Sequence, residues 1–135
     1  ARFCGLSGKP GELDALLELA DSQITYRIRY VMLAARVPVV DLVLLDGGNP
    51  RALAFQADQI RQLLAGMPAH APAGLLAPAD RLATRLAAEL GTADAAALDA
   101  DSLFGFEQTL MKISDEITLA YFTHRRSAEP ADRGD

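Results

Sequence analysis

The sequence predicts an all-α fold, a helical bundle of about five helices. Three observations carry that prediction. Leu and Ala dominate while Ile, Thr and the aromatics are sparse, a balance that favours helix over sheet. Apolar residues recur at steps of three and four along most of the chain, the spacing of a buried helix face. Pro, Asn, Asp and Gly stand where those periodic stretches start and stop. With 135 residues, half of them hydrophobic, the chain fits one domain or a fragment of a larger α-helical domain.

Taken in order, residues 1–10 read as an irregular segment broken by Gly5, Gly8 and Pro10, and residues 11–124 as the helical domain. A first long helix is expected from Gly11 to Ala35. Its stripe is Leu13, Leu17, Ala20, Ile24, Ile28, Val31 and Ala35. Glu12 and Asp14 at its start and Arg29 and Arg36 toward its end complement the helix dipole. Ser22, Tyr26, Arg29 and Leu33 share the opposite face, so this helix is expected to be central and covered on both sides. The run "VPVVDLVLLDGG" suits either a buried strand or a short helix. A lone strand has no partner here, so a helix over Val39 to Leu45 is expected. Asn49 then serves as an N-cap, with Pro50 as the first helical residue. That helix reaches Leu64 with the stripe Leu53, Ala57, Ile60, Leu64 and Met67, and Asp58 and Gln62 on its wet side.

"GMPAHAPAGLLAPAD" reads as a connector, after which Pro78 starts a helix to Leu90 with Leu82, Leu86 and Leu90 inward. "GTADAAALDADS" is a second connector with room for one helical turn. The last helix is expected after a cap at Asp101 or Ser102 and runs to His124. Phe106, Leu110, Ile113, Ile117, Ala120 and Tyr121 form its main face, and Phe104, Met111, Leu119 and Phe122 lie off it. Apolar residues on several sides predict burial on several sides. Residues 125–135 read as a disordered polar tail.

Composition excludes several function classes. A formal charge of −5 argues against nucleic-acid binding, which needs a concentrated basic face. No apolar run approaches the roughly 18 residues of a membrane span, so no membrane is expected. A single cysteine, Cys4, suits a reducing, cytoplasmic setting and lacks a nearby His to make it a nucleophile. His70 and His124 stand apart, without His or Cys at ligand spacing, so no metal is expected. No Gly-rich phosphate loop occurs, and no cofactor is expected. Asp115 and Glu116 are adjacent on one helix and point different ways.

The candidate cluster is Ser22, Tyr26, Arg27, Arg29, Tyr30, Asp41, Asp46, Asn49 and Arg51. Two Arg and two Tyr fall within five residues, 26–30. Ser22, Tyr26 and Arg29 share one helix face, and Arg27 and Tyr30 a neighbouring strip. The guanidinium groups can bind a ligand's carboxylate or phosphate. They can equally pair with Asp41 or Asp46 across a helix contact, as framework that specifies register. Asp46 and Asn49 in "LLDGGNPR" have side chains suited to turns, while the following helix start with Arg51 can receive an anion.

Three segments, "DSQITYRIRY", "PVVDLVLLDGGNPRALAFQ" and "ISDEITLAYFTH", in that order resemble the C-terminal half of the bacterial alpha-E domain family. That family is a predicted all-helical domain named for a Glu-Arg motif. The motif belongs to the N-terminal half, which is not found in this chain. Of the family's two "LD..NP" segments only the later, Leu45 to Pro50, is present. Family motif positions here are Ser22, Thr25, Tyr26, Arg27, Arg29, Tyr30, Asp41, Asp46, Asn49, Pro50 and Gln56.

The resemblance implies a partner, a circularly permuted ATP-grasp protein, and a system that forms and breaks peptide amide bonds. The resulting expectation is a non-catalytic helical module, a scaffold or substrate-presenting partner of an ATP-grasp amide ligase. The alternative is an enzyme on peptide amide bonds, with Tyr26, Arg29 and Asp41 completed by the Glu-Arg motif of the other half. A further alternative is a self-associating domain, a homodimer through the first or last helix.

Overall fold

The computed structural model describes residue 3, residues 5–67 and residues 74–128, with side chains up to Phe122. Cys4, His70, the middle of the first connector and residues 129–135 lie outside the described residues, as does the side chain of His124. Among the described residues the chain forms six helices and no strand. They are α1 (Glu12–Leu19), α2 (Gln23–Tyr30), α3 (Arg36–Val40), α4 (Leu53–Gly66), α5 (Ala77–Thr92) and α6 (Ala100–Ala128). The third continues without a break into a π-helical turn, Asp41–Leu45.

The expected long first helix is two helices. Glu12 accepts from the backbone N–H groups of Ser7, Gly8 and Lys9 and so ties the irregular start to α1. Gly11, at φ 82, makes the left-handed turn into the helix. The break after Leu19 is a Schellman arrangement: Ser22 N–H bonds the Leu17 carbonyl, Asp21 N–H bonds the Glu18 carbonyl, and Asp21 adopts φ 48. Asp replaces the usual Gly there, which Asp tolerates better than most residues. The apolar stripe runs in register through this break, so periodicity alone does not reveal it. α2 re-enters rotated. Leu17 stays inside, but Ile24, Ile28 and Val31 are exposed, and Ser22 and Tyr26 take the buried side.

The short apolar helix forms, starting at Arg36 rather than Val39. Pro38 lies in its first turn, where a missing N–H costs nothing. Its apolar residues are needed on all sides because it bridges two cores. Val40 and Leu44 join the main core of α4, α5 and α6, while Val39, Leu42 and Val43 join Leu17 and Tyr26 in a smaller one. Arg36 adds a bond across the molecule to the Leu98 carbonyl at 2.7 Å.

α5, not the first helix, is central, packing against both α4 and α6. Leu86 and Leu90 are fully buried there with Ala83, and Ala57, Leu64, Phe106 and Ile113 face them. α4 starts at Leu53, with Ala52 rather than Asn49 at its N-cap position. Pro50 lies in the preceding turn, closed by Ala52 N–H on the Asn49 carbonyl. α6 is capped by Asp99, whose carboxylate accepts from the N–H and hydroxyl of Ser102. It runs to Ala128, into the stretch expected as tail. Phe106, Ile113 and Ala120 are buried on it as expected, but Phe104, Met111, Leu119 and Phe122 are exposed.

Candidate functional site

The polar cluster links α2 to the π-helical turn and to the loop before α4. Arg29 of α2 forms an ion pair with Asp46 just past the π-helical turn. That carboxylate also accepts the Gly48 N–H at 2.9 Å. Partial burial opposes ionisation of Asp46, but the hydrogen bonds from Arg29 and Gly48 outweigh it and hold its carboxyl below the usual value. The same bond to Asp46 raises the Arg29 guanidinium. Tyr30 donates to Asp41 at 3.1 Å, and burial, then the Asp41 bond, push its hydroxyl up. The rings of Tyr26 and Tyr30 lie 4.9 Å apart, tilted by 36°.

Two buried polar residues join these segments from inside. Ser22 donates to the Ala20 carbonyl and accepts from the Asn49 amide at 3.3 Å. That amide also donates to the Leu42 carbonyl at 2.9 Å, and its oxygen accepts the Arg51 N–H. Arg51 then bonds Asp21 at 2.9 Å, on the exposed surface. Its guanidinium is therefore engaged with a carboxylate rather than standing ready at the start of α4, as the anion-site reading required. The Gln56 amide closes the same loop on the Pro50 carbonyl.

Tyr26 is the largest fully enclosed member, 2% exposed. Its hydroxyl donates to the Leu33 carbonyl at 3.1 Å and accepts the Ala35 N–H at 3.2 Å. One side chain thereby fixes the loop from Val31 to Ala35. Val31 holds φ 38 in that loop. A β-branched residue in the left-handed region is strained, and persists only where its surroundings over-determine it.

Arg27 behaves differently from its neighbours. Its side chain is exposed and has no hydrogen bond or ion pair among the described residues. Although Arg27 and Tyr30 are three residues apart, the structure separates them: Tyr30 turns to Asp41, while Arg27 borders a cleft against α1. The cleft, of 140 Å³, is flanked by Asp14 and Gln23 as well as Leu17, Met32 and Leu33. A second groove, of 240 Å³ and almost wholly apolar, runs between α4 and α6 along Ile60, Leu110, Ile113 and Ile117. Among the described residues no three His, Cys, Asp or Glu side chains are placed to hold a metal ion, and no helix is long and apolar enough to cross a membrane.

Sequence reasoning left Arg27 and Arg29 open between a ligand's anion and pairing with Asp41 or Asp46; in the structure Arg29 pairs with Asp46, and the Arg27 side chain pairs with neither. Sequence reasoning missed Asp21 as the partner of Arg51 and Arg36 as a donor to Leu98. Neither carried a local signal, because those pairs are 30 and 62 residues apart. The model of the Alpha-E family, described as a predicted alpha-helical domain with a conserved ER motif, matches residues 4–122. No curated protein and no solved structure matches.

Proposed function

The chain belongs to the Alpha-E family, and from that membership we propose that it is a non-catalytic helical module serving a cytoplasmic, circularly permuted ATP-grasp amide ligase as scaffold or substrate-presenting partner. On this reading it corresponds to the C-terminal half of the family's domain. No Glu-Arg dipeptide occurs in its sequence, which agrees with that assignment. The ligase partnership follows from the resemblance of the three motif segments.

The observation that carries the non-catalytic reading is how the motif side chains are engaged. Of the motif positions, Tyr26, Arg29, Tyr30 and Asn49 each bond another segment of the same chain. Side chains so engaged fix register and loop shape. The rival trio of Tyr26, Arg29 and Asp41 has its Tyr26 hydroxyl bonded to two backbone groups and its Arg29 bonded to Asp46. The apolar groove between α4 and α6 is the surface a protein partner would use.

Amide-bond formation by the purified ATP-grasp protein, followed as ADP release, tests this. Adding the helical chain is expected to raise the rate roughly ten-fold, within the usual range of coupling between sites. Equal rates with and without it would end the reading.

Self-association has its own supporting observation. Ile24, Ile28, Val31 and Leu33 form an exposed apolar ridge on and just after α2, with Ile28 76% and Leu33 91% exposed. Light scattering at high concentration is expected to give the mass of a dimer, and Ile28→Glu to return the monomer. A wild-type chain that stays monomeric throughout excludes this mode.

A further inference from the structure

We propose that the cleft beside Arg27 binds the zwitterion of a small apolar amino acid, free or as a dipeptide. The inference stands on the cleft alone and not on the ligase partnership. Its first support is an unmet pair of charges. Asp14 on α1 and Arg27 on α2 border the same 140 Å³ space, yet neither side chain has a hydrogen bond or ion pair among the described residues. Arg29, Arg36 and Arg51, the neighbouring guanidinium groups, are all bonded. One anion and one cation facing a common space, unbridged, leave five N–H donors and two carboxylate oxygens for a ligand.

Charge selects the ligand class. A plain anion drawn to Arg27 meets Asp14, and a plain cation drawn to Asp14 meets Arg27. A molecule carrying both an ammonium and a carboxylate satisfies both, with a charge-assisted bond at each end. Gln23, able to donate and accept, flanks the same space. The apolar flank of Leu17, Met32 and Leu33 suits an aliphatic side chain. Size narrows the choice further: 140 Å³ lies well under the roughly 300 Å³ at which drug-sized pockets begin.

The cleft is also built rather than incidental. Its far wall is the loop that the Tyr26 hydroxyl holds through Leu33 and Ala35. Val31, at φ 38, is strained at the point where that wall leaves α2. The two Tyr26 bonds therefore hold the wall, strained residue included, against a helix that carries an unpaired guanidinium.

Titration of the ¹⁵N-labelled chain with L-alanine, L-alanyl-L-alanine, acetate, ethylammonium and phosphate tests the proposal. Amide shifts are expected at Gln23, Arg27 and Met32, with L-alanine or the dipeptide binding at about 1 mM, as a ligand of so few atoms allows. Acetate and ethylammonium, each with one charge, are expected to bind about ten-fold more weakly or worse. R27Q and D14N, both at exposed positions that leave the fold intact, are each expected to weaken L-alanine by about ten-fold. Tighter binding of L-alanine assigns a free amino acid, and tighter binding of the dipeptide assigns a peptide. The proposal is overturned if neither shifts these amides, if acetate or phosphate binds as well as L-alanine, or if both variants bind like wild type. Because the ligase is not in the tube, failure here leaves the partnership standing, and failure of the partnership leaves this result untouched.

Discussion

Tyr26→Ala is expected to lower the unfolding free energy by about 3–5 kcal/mol, the range for deleting a buried aromatic side chain, and Tyr26→Phe by about 1–3 kcal/mol. The two values separate two jobs. The ring fills the smaller core with Leu17, Val39, Leu42 and Val43, and alanine there leaves a cavity as well as lost burial. The hydroxyl does something else: it is the bonding partner of the Leu33 carbonyl and the Ala35 N–H. Phenylalanine keeps the ring and strands both backbone groups, one donor and one acceptor. Urea denaturation of the three proteins measures the order, and a slope unchanged among them keeps the comparison valid. Hydrogen exchange at Ala35 supplies an independent readout, because Tyr26→Phe should accelerate it while leaving Leu86 and Leu90 in the main core protected. A phenylalanine variant as stable as wild type, with unchanged exchange at Ala35, would show that this hydroxyl does not fix the loop.

The parts of this architecture that sequence conveyed are those written in one uninterrupted register. Leu82, Leu86 and Leu90 on α5, and Ala57, Ile60 and Leu64 on α4, repeat at steps of three and four along a single helix, and each turns toward the main core or its edge. The break at Asp21 was not legible for the opposite reason. Its Schellman bonds use a non-glycine residue in the left-handed region, and the apolar stripe carries on across it. Once α2 rotates, the same letters mean something different: Ile24 and Ile28 become surface, and Tyr26 becomes core. α6 misled in a similar way. Apolar residues on several sides predict burial on several sides, but among the described residues the covered face is the one toward α5, and Phe104, Met111 and Phe122 are exposed.

The candidate site divides along the same line. A partner for Arg29 among Asp41 and Asp46 was one of the two readings open in the sequence, and the fold selects Asp46, just past the π-helical turn. The role of Arg27 depended on where α1 lay after the break, which periodicity had hidden. Arg27 and Tyr30 lie on the same helix, and what differs is what stands beside each: the cleft against α1 for Arg27, Asp41 for Tyr30.

Asn49→Ala is expected to cost about 2–3 kcal/mol, the upper part of the range for stranding buried hydrogen-bonding groups. Asn49 looked like a helix cap, and capping residues cost only about 1 kcal/mol when replaced. The structure gives it a larger task. Its side chain is buried, and it joins three places: Ser22 at the start of α2, Leu42 in the π-helical turn, and the N–H of Arg51 ahead of α4. The Leu42 bond matters most, because a π-helical turn shifts the backbone hydrogen bonding, and the Asn49 amide supplies a donor to the Leu42 carbonyl. Alanine would remove that carbonyl's donor in a buried setting. Asn49→Asp discriminates further. Its carboxylate can still accept the Arg51 N–H, but it cannot donate to Leu42 and buries a charge, so it should be at least as damaging as alanine. Thermal and urea unfolding of both variants give the measurement. A loss near 1 kcal/mol for alanine, with aspartate tolerated, would return Asn49 to the role of an ordinary cap. A loss at the predicted level, with aspartate as bad or worse, would establish the donor to Leu42 as the bond that keeps α2, the π-helical turn and the start of α4 in register.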